Sequence, residues 1–330
     1  MTGRRCGSIA LIGEPNAGKS TLMNRIIGYD ASVVTHKAQT TRFRVRGIAT
    51  VGNVQLVFVD TPGLFRARRP VDRGMIHDAW SAVWQSDLAV LLVDVRRGVT
   101  PGIRMILDHL TAARDQPPKH REAKPGSPDA VADSVPGMVL AINKIDQVRR
   151  TTLLRLSDEL NRLLEFEASF MISARTGSGV PDLTKWLRSR MPNRSWLFPP
   201  DQLTDLPLQK LATEVTRKHA LLRLHQELPY RLQVDSQAWE TQTDRSLRIE
   251  QVIRVARSGH RGIVLGPKGQ TIRAIGAAAR AELRKLLDAE VHLFLEVRVK
   301  PPDRDRPITG VPDDGPVVGA IRPTGGSVGA

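Results

Sequence analysis

A chain of 330 residues exceeds one ordinary domain and suits two, and its 41% hydrophobic content can bury real cores. No apolar run reaches the roughly 18 residues of a membrane-spanning helix, and the single cysteine, Cys6, excludes an intramolecular disulfide and a cysteine-rich zinc site. A formal net charge of +15 favours polyanionic partners, nucleic acid or an anionic membrane face, although a coding bias toward arginine is a competing source of the excess.

The short polar start, residues 1–8, leads straight into an apolar run, so neither a signal nor a transit peptide is expected, and a reducing, cytoplasmic setting fits. Apolar strand-like runs then alternate with helix-length segments. Strands are expected at 8–13, 54–60, 88–95, 138–143 and 170–174, with helices starting near Lys19, Asp72, Gly102 and Thr151 and after Gly179. That alternation predicts an α/β first domain whose sheet is mostly parallel and covered on both faces. One antiparallel strand should join it, because 42–51 has β character and meets 54–60 across the turn signal Gly52-Asn53. This domain spans 1–190, interrupted at about 115–136 by a Pro-, Ala- and charge-rich stretch expected to be disordered. Pro192, Pro199 and Pro200 mark 191–200 as a linker.

An α+β second domain is expected at 201–300. It should hold a helix at about 206–227, strands at about 230–234 and 247–255, a helix from near His260, a longer helix at about 270–287 and a last strand at 291–299. Residues 301–330, rich in Pro, Gly and Asp, should form a disordered tail.

Gly13, Glu14, Pro15, Asn16, Ala17, Gly18, Lys19 and Ser20 follow the pattern G-x-x-x-x-G-K-[ST], set between a strand and a helix. Such a loop curls backbone N–H groups around phosphates at a helix N-terminus. Lys19 is expected on the β- and γ-phosphates and the Ser20 hydroxyl, next to Thr21, on Mg²⁺. Asp60, Thr61, Pro62 and Gly63, followed by Leu64, end the strand at 54–60. The Asp60 carboxylate there can hold the Mg²⁺ through its water shell, and the Gly63 N–H can sense the γ-phosphate. Between the two motifs, Gln39, Thr40, Thr41 and Arg42 precede the antiparallel strand. The Thr41 hydroxyl is assigned to complete the Mg²⁺ shell only when the γ-phosphate is present, which makes this the first switch. Lys19, Thr41 and Gly63 are the expected catalytic set, and Ser20, Thr41 and Asp60 the metal set.

Asn143, Lys144 and Asp146 also follow an apolar strand. The Asp146 carboxylate can accept from guanine N1–H and the N2 amine, groups that adenine does not offer in this way. Ser173 and Ala174 follow the next strand, where the Ala174 N–H can reach guanine O6. Each motif alone is weak; in this order, on successive strand ends, they select GTP over ATP and predict hydrolysis to GDP and phosphate. Many GTPases set a glutamine after D-x-x-G to orient water. Leu64 stands there, so slow intrinsic hydrolysis is expected. Asn16 either ligates a potassium ion bridging the phosphates, as in related loops of the form G-x-P-N-x-G-K, or caps the loop's own backbone.

In the second domain Gly266, Pro267, Lys268 and Gly269 lie between two helical segments, the pattern of an RNA-binding KH domain, with the helix and strand that follow pointing to its type II form. Residues 257–285 carry seven basic side chains and one acidic. Lys268 and Arg273 are the expected contacts to RNA, ahead of Arg280.

The loop from Gly13 to Thr21, the run from Lys37 to Arg42, Asp60 to Gly63, Asp201 to Asp205 and Glu227 to Tyr230 together resemble the Era family of GTPases. The resemblance covers about 8–300, outside the 115–136 stretch, and the tail after Lys300 also departs from the family pattern. It implies binding to the 3′ region of 16S ribosomal RNA, a role in maturing the 30S subunit, and peripheral association with the inner membrane; a monomer is expected. The rival reading is a non-enzymatic RNA-binding assembly factor whose GTP site is only a switch; steady-state phosphate release separates the two.

Overall fold

The structure is a computed structural model that describes residues 3–28, 45–61, 79–115, 136–224 and 232–299. It divides into two compact units between Asp205 and Leu206. In the first, β1 (Arg5–Ile12) leads through a glycine-rich loop to α1 (Lys19–Ile27), and β2 (Val45–Val51) and β3 (Val54–Asp60) form the expected hairpin across Gly52-Asn53. Then come β4 (Leu88–Asp94), α2 (Pro101–Asp115), β5 (Gly137–Asn143), α3 (Arg150–Leu163), β6 (Ala168–Ile172) and α4 (Val180–Arg190). The sheet order is β2-β3-β1-β4-β5-β6, with β2 antiparallel and every other neighbour parallel.

Both β3 and β4 are buried along their whole length, as continuous Val/Leu runs in a parallel sheet covered on both faces should be. Helical residues 79–84, α2 and α3 pack their apolar stripes on β4 and β5; Leu153, Leu156 and Leu160, spaced for one helix face, supply the α3 contribution. Each such buried leucine contributes about 1.5–3 kcal/mol. α1 and α4 contact β3 from the other side. β1 begins at Arg5 rather than at residue 8, because Arg5, Cys6 and Gly7 pair with Val54, Gln55 and Leu56; Arg-Cys-Gly carries no apolar signal of its own. β6 begins and ends two residues earlier than 170–174, leaving Ser173 and Ala174 in the turn beyond it.

Residues 191–205 lie along the first unit. The Cys6 N–H donates to the Pro192 carbonyl (3.2 Å), and Asn193 bridges to Arg5. Gln55 is fully buried. Its Oε1 accepts from the N–H groups of Leu197 and Phe198 (3.0 and 3.1 Å), while its Nε2 donates to the Phe198 carbonyl (2.9 Å). Further on, the Ile48 N–H donates to the Leu203 carbonyl (2.9 Å), and Arg46 pairs with Asp205 (2.9 Å). The outer edge of β2 is covered in this way, which removes an open template for strand pairing.

The second unit runs α5 (Leu208–Arg223), β7 (Gln233–Thr241), β8 (Leu247–Val255), α6 (Ser258–Leu265), α7 (Gln270–Leu287) and β9 (Val291–Val299). β8 is central, antiparallel to β7 and parallel to β9. The strand expected at 230–234 is instead β7, Gln233–Thr241. This edge strand is polar and bulged at Ser236/Ala238, so its alternation is broken and only pairing with β8 reveals it. The helix expected near His260 starts at Ser258.

Candidate nucleotide and RNA sites

The loop joining β1 to α1 needs its two glycines. Gly13 (φ 142°) and Gly18 (φ 105°) adopt backbone conformations that side chains rarely take, and a Cβ would strike the Leu92 carbonyl at the first and the Asn143 amide at the second. Lys19, only 6% exposed, points back into the loop, donating to the carbonyls of Gly13 (3.2 Å) and Glu14 (3.1 Å). Burial pushes its ammonium down to about 8, against the opposing charges of Asp60 and Glu14. The Ser20 hydroxyl donates to Asp60 Oδ2 at 2.5 Å, and Asp60 is fully buried at the end of β3. Next to it the Thr61 hydroxyl ties that strand end to the Leu11 carbonyl of β1 (2.7 Å).

A hydroxyl and a carboxylate thus meet beside a buried ammonium. This hard-oxygen pair fits Mg²⁺, which takes one or two protein oxygens and completes its shell with water and phosphate. When bound, the ion supplies charge neutralisation to the triphosphate. Glu14 pairs with Arg97 at 3.1 Å and lies over Gly102 at the start of α2. Pro15 is half-buried and Ala17 buried, while Asn16 is exposed with a left-handed φ of 64°. Among the described residues the Asn16 side chain makes no hydrogen bond, so the loop-capping role does not appear; its carbonyl accepts from Lys144 Nζ (2.6 Å).

Asn143 ends β5 and is the hub of the base-side loops. Its Nδ2 donates to the Ala17 carbonyl (2.7 Å), and its Oδ1 accepts from the N–H groups of Lys144 (2.8 Å) and Ala174 (2.9 Å). Lys144, at φ 70°, reaches the Asp94 carboxylate as well (2.7 Å). Asp146 accepts from the Ser173 hydroxyl and from Arg175, both at 2.6 Å. Those two hydrogen bonds hold its carboxyl down at about 2, so it is an ionised double acceptor across the physiological range. Arg25, at the end of α1, clamps the far side of the same loop, donating to the Ala174 carbonyl (2.9 Å) and to that of Arg175.

Thr41, Pro62, Gly63 and Leu64 lie outside the described residues, as do 116–135, the tail after Val299, and the helix start expected near Asp72. The remaining expected nucleotide residues, from Gly13 to Thr21 and from Asp60 to Ala174, come together at the C-terminal ends of β1, β3, β5 and β6. Sequence reasoning missed Asp94, Arg175 and Arg25. Asp94 had a readable signal, a carboxylate closing an apolar strand, the same signal that marked Asp60. The two arginines had none.

In the second unit α6 and α7 flank the Gly266–Gly269 turn. Gly266 (φ 70°) sits where a Cβ would strike Thr271. Lys268 (φ 49°) and Gly269 (φ 74°) are also left-handed, and a Cβ at Gly269 would meet nothing within 4 Å. Pro267, Lys268 and Arg273 are exposed, and Ile263 on α6 is half-exposed beside them, whereas Ile275 is core. The loop therefore opens its backbone to a ligand between a cationic and an apolar flank, the chemistry of a sugar–phosphate chain with bases laid beside it.

Phosphate loop, buried Ser–Asp pair and the ionised Asp146 carboxylate beyond β5, all at the C-terminal ends of parallel strands, define a P-loop GTPase, here followed by a KH-type domain. The family model described as a 50S ribosome-binding GTPase matches residues 8–121, and the KH domain model matches 227–304. GTPase Era of Dinoroseobacter shibae is 50% identical over 297 residues, 90% of this chain and 91% of that protein, and GTPase Era of Mesorhizobium japonicum is 47% identical over 89% and 88%. The chain belongs to the Era GTPase family. Two solved Era structures are each 30% identical to it. One, from Aquifex aeolicus and bound to GDP·AlF4⁻, has a TM-score of 0.80 over 90% of this chain and 95% of that one. The other, in complex with MgGDPNP and nucleotides 1506–1542 of 16S ribosomal RNA, has a TM-score of 0.79 over 91% and 95%.

Proposed function

We propose that this GTPase binds the 3′ region of 16S ribosomal RNA through its second domain and assists maturation of the 30S subunit, with GTP hydrolysis governing release. The observation that carries the RNA half is the open Gly266–Gly269 backbone flanked by Lys268, Arg273 and half-exposed Ile263. The similar Era structure that holds a 3′ segment of 16S ribosomal RNA supports the same choice of ligand.

In this reading the first domain extends past the expected boundary at 190 to take in 191–205, including the stretch expected as a linker at 191–200, and the RNA-binding domain expected at 201–300 starts at Leu206. Gly13 to Thr21 cradle the phosphates, Ser20, Thr41 and Asp60 hold Mg²⁺, Gly63 senses the γ-phosphate, and Asn143, Lys144, Asp146, Ser173 and Ala174 read guanine. Asn16, exposed at the phosphate loop, ligates K⁺. The protein works as a monomer in the cytoplasm, in peripheral contact with the inner membrane, a placement that rests on the family resemblance; among the described residues no helix is long and apolar enough to cross a membrane.

Gly269→Asp tests the reading. Space is open at that Cβ and aspartate tolerates a left-handed backbone, so the fold should stand while a carboxylate faces the incoming phosphate. Affinity for a single-stranded 3′ segment of 16S ribosomal RNA should fall by about 100-fold with GTP hydrolysis unchanged, near the top of the roughly 1–3 kcal/mol cost of a polar group left without a partner in the complex. A folded Gly269→Asp protein that binds this RNA like the parent would remove the KH loop from the function.

A further inference from the structure

The parallel strands carry the nucleotide loops at one end; the opposite end of the first unit holds a second charged constellation, gathered around the β2–β3 turn. Arg4 stacks its guanidinium over Trp196, 4.6 Å from the ring centre, and Trp196 Nε1 donates to the Asn53 carbonyl (3.2 Å). Arg5 donates its backbone N–H to the same carbonyl (2.9 Å) and its guanidinium to the carbonyls of Met191 (2.8 Å) and Ser189 (2.7 Å). From the end of α4, Arg188 reaches the Val51 carbonyl (3.4 Å).

These three guanidinium groups rest on neutral partners. None has a carboxylate within ion-pair reach among the described residues, whereas their neighbours Arg190 and Arg194 are paired with Glu167 (2.7 Å) and Asp87 (3.2 Å). Their charges are uncompensated and also held in place. Favourable interaction with the α4 C-terminus explains Arg188. It does not explain Arg4, just before β1, or Arg5, its first residue.

A fixed guanidinium with free N–H groups is suited to the two oxygens of a phosphate, and prior immobilisation lowers the entropic cost of binding. The surface lacks what other anionic partners would use. A bilayer would want apolar side chains projecting beside the charges, and among the described residues only Val51, 41% exposed, does so. A single strand would want a free aromatic ring for its bases, but Trp196 is half-buried and capped by Arg4. We propose that Arg4, Arg5 and Arg188 around the Gly52-Asn53 turn form a second RNA contact, taking the phosphate backbone of a duplex, separate from the single strand read by the KH loop. The proposal rests on the RNA-binding reading above and adds a second ligand class to it.

The test uses the full chain and two probes: a blunt A-form RNA duplex of about 16 base pairs, which offers no single strand to the KH loop, and a single-stranded 3′ segment of 16S ribosomal RNA. Arg5 is left intact because it holds the chain at 189–191. The double substitution Arg4→Gln with Arg188→Gln should weaken duplex binding about tenfold and lower the slope of log affinity against log salt by about 2, with single-strand affinity unchanged. Arg4→Gln alone, which disturbs only an exposed stack, should lower the slope by about 1 and guards against misfolding of the double variant. Gly269→Asp should do the reverse, losing the single strand and keeping the duplex. The proposal is overturned if the parent does not bind the duplex, if the variants keep its affinity and salt slope, or if both RNAs weaken equally. It is also overturned if the variants lose only anionic phosphatidylglycerol vesicles. Loss of neither probe in Gly269→Asp would instead sink the KH reading alone.

Discussion

Replacing Asp94 with asparagine tests how the phosphate loop and the guanine loops are held together. Asp94 closes β4 with its side chain 6% exposed. Its Oδ2 accepts from Lys144 Nζ and Arg96 Nη2, both at 2.7 Å, and its Oδ1 accepts from the Arg96 backbone (3.1 Å) and Nε (3.0 Å). Burial opposes its ionisation, but the hydrogen bonds from Arg96 and Lys144 prevail and hold the carboxyl down at about 2. A lowered folded value means a stabilisation that is fully present above the unfolded value near 4 and lost as pH falls through about 2. Nearly two units correspond to about 2 kcal/mol.

The asparagine keeps one acceptor but turns an N–H₂ group toward two cations, and Lys144 then loses the partner that holds it against the Asn16 carbonyl. If most of the 2 kcal/mol reaches the bound state, nucleotide affinity should fall about 10- to 30-fold. Asp94 is not among the groups around Ser20 and Asp60, so kcat at saturating GTP should stay within about twofold. Dissociation of a fluorescent GDP analogue measures the first quantity and steady-state phosphate release the second. Asp94→Glu should recover part of the affinity, because the charge returns. A variant that binds GDP as tightly as the parent, or one that loses kcat with KM unchanged, would show that Asp94 does not work through Lys144.

If Asp146 reads guanine as proposed, Asp146→Asn removes an ionised double acceptor, so GTP affinity should drop by about 2 kcal/mol or more while xanthosine triphosphate gains, read by competition against labelled GDP. Lys19 in the free protein titrates at about 8 and a bound phosphate favours its charged form. Nucleotide binding must therefore take up a proton above that pH, and affinity should be level from pH 6 to about 7.5 and then fall by up to about tenfold per unit; a level profile to pH 9.5 would contradict that burial argument. Turnover should be faster in potassium than in sodium at matched ionic strength, and Asn16→Ala should abolish the difference; equal rates in both salts for the parent would retire the potassium role of Asn16.

What could be read without the fold was whatever depends on near neighbours. The phosphate loop, the Gly52-Asn53 hairpin, the buried runs of β3, β4 and β5, and the glycine turn at 266–269 all declare themselves within a dozen residues, because φ restrictions, helix starts and strand alternation are local. The charge that closes the nucleotide site is different. Asp94 reaches Lys144 across 50 positions, and Arg25 reaches Ala174 across 149. Gln55 holds 197–198 from more than 140 residues away. Those pairings depend on the order β2-β3-β1-β4-β5-β6, which sets β1 between strands that follow it in the chain. β7 escaped for a related reason: an edge strand with a bulge and polar side chains has no period of its own, and its place comes only from hydrogen bonds to β8. Sequence alone determined which chemical groups this protein has and which loops present them. Sheet order decided which of those groups touch, since a hydrogen bond between distant residues forms only where the packing of whole strands has already brought them within about 3 Å.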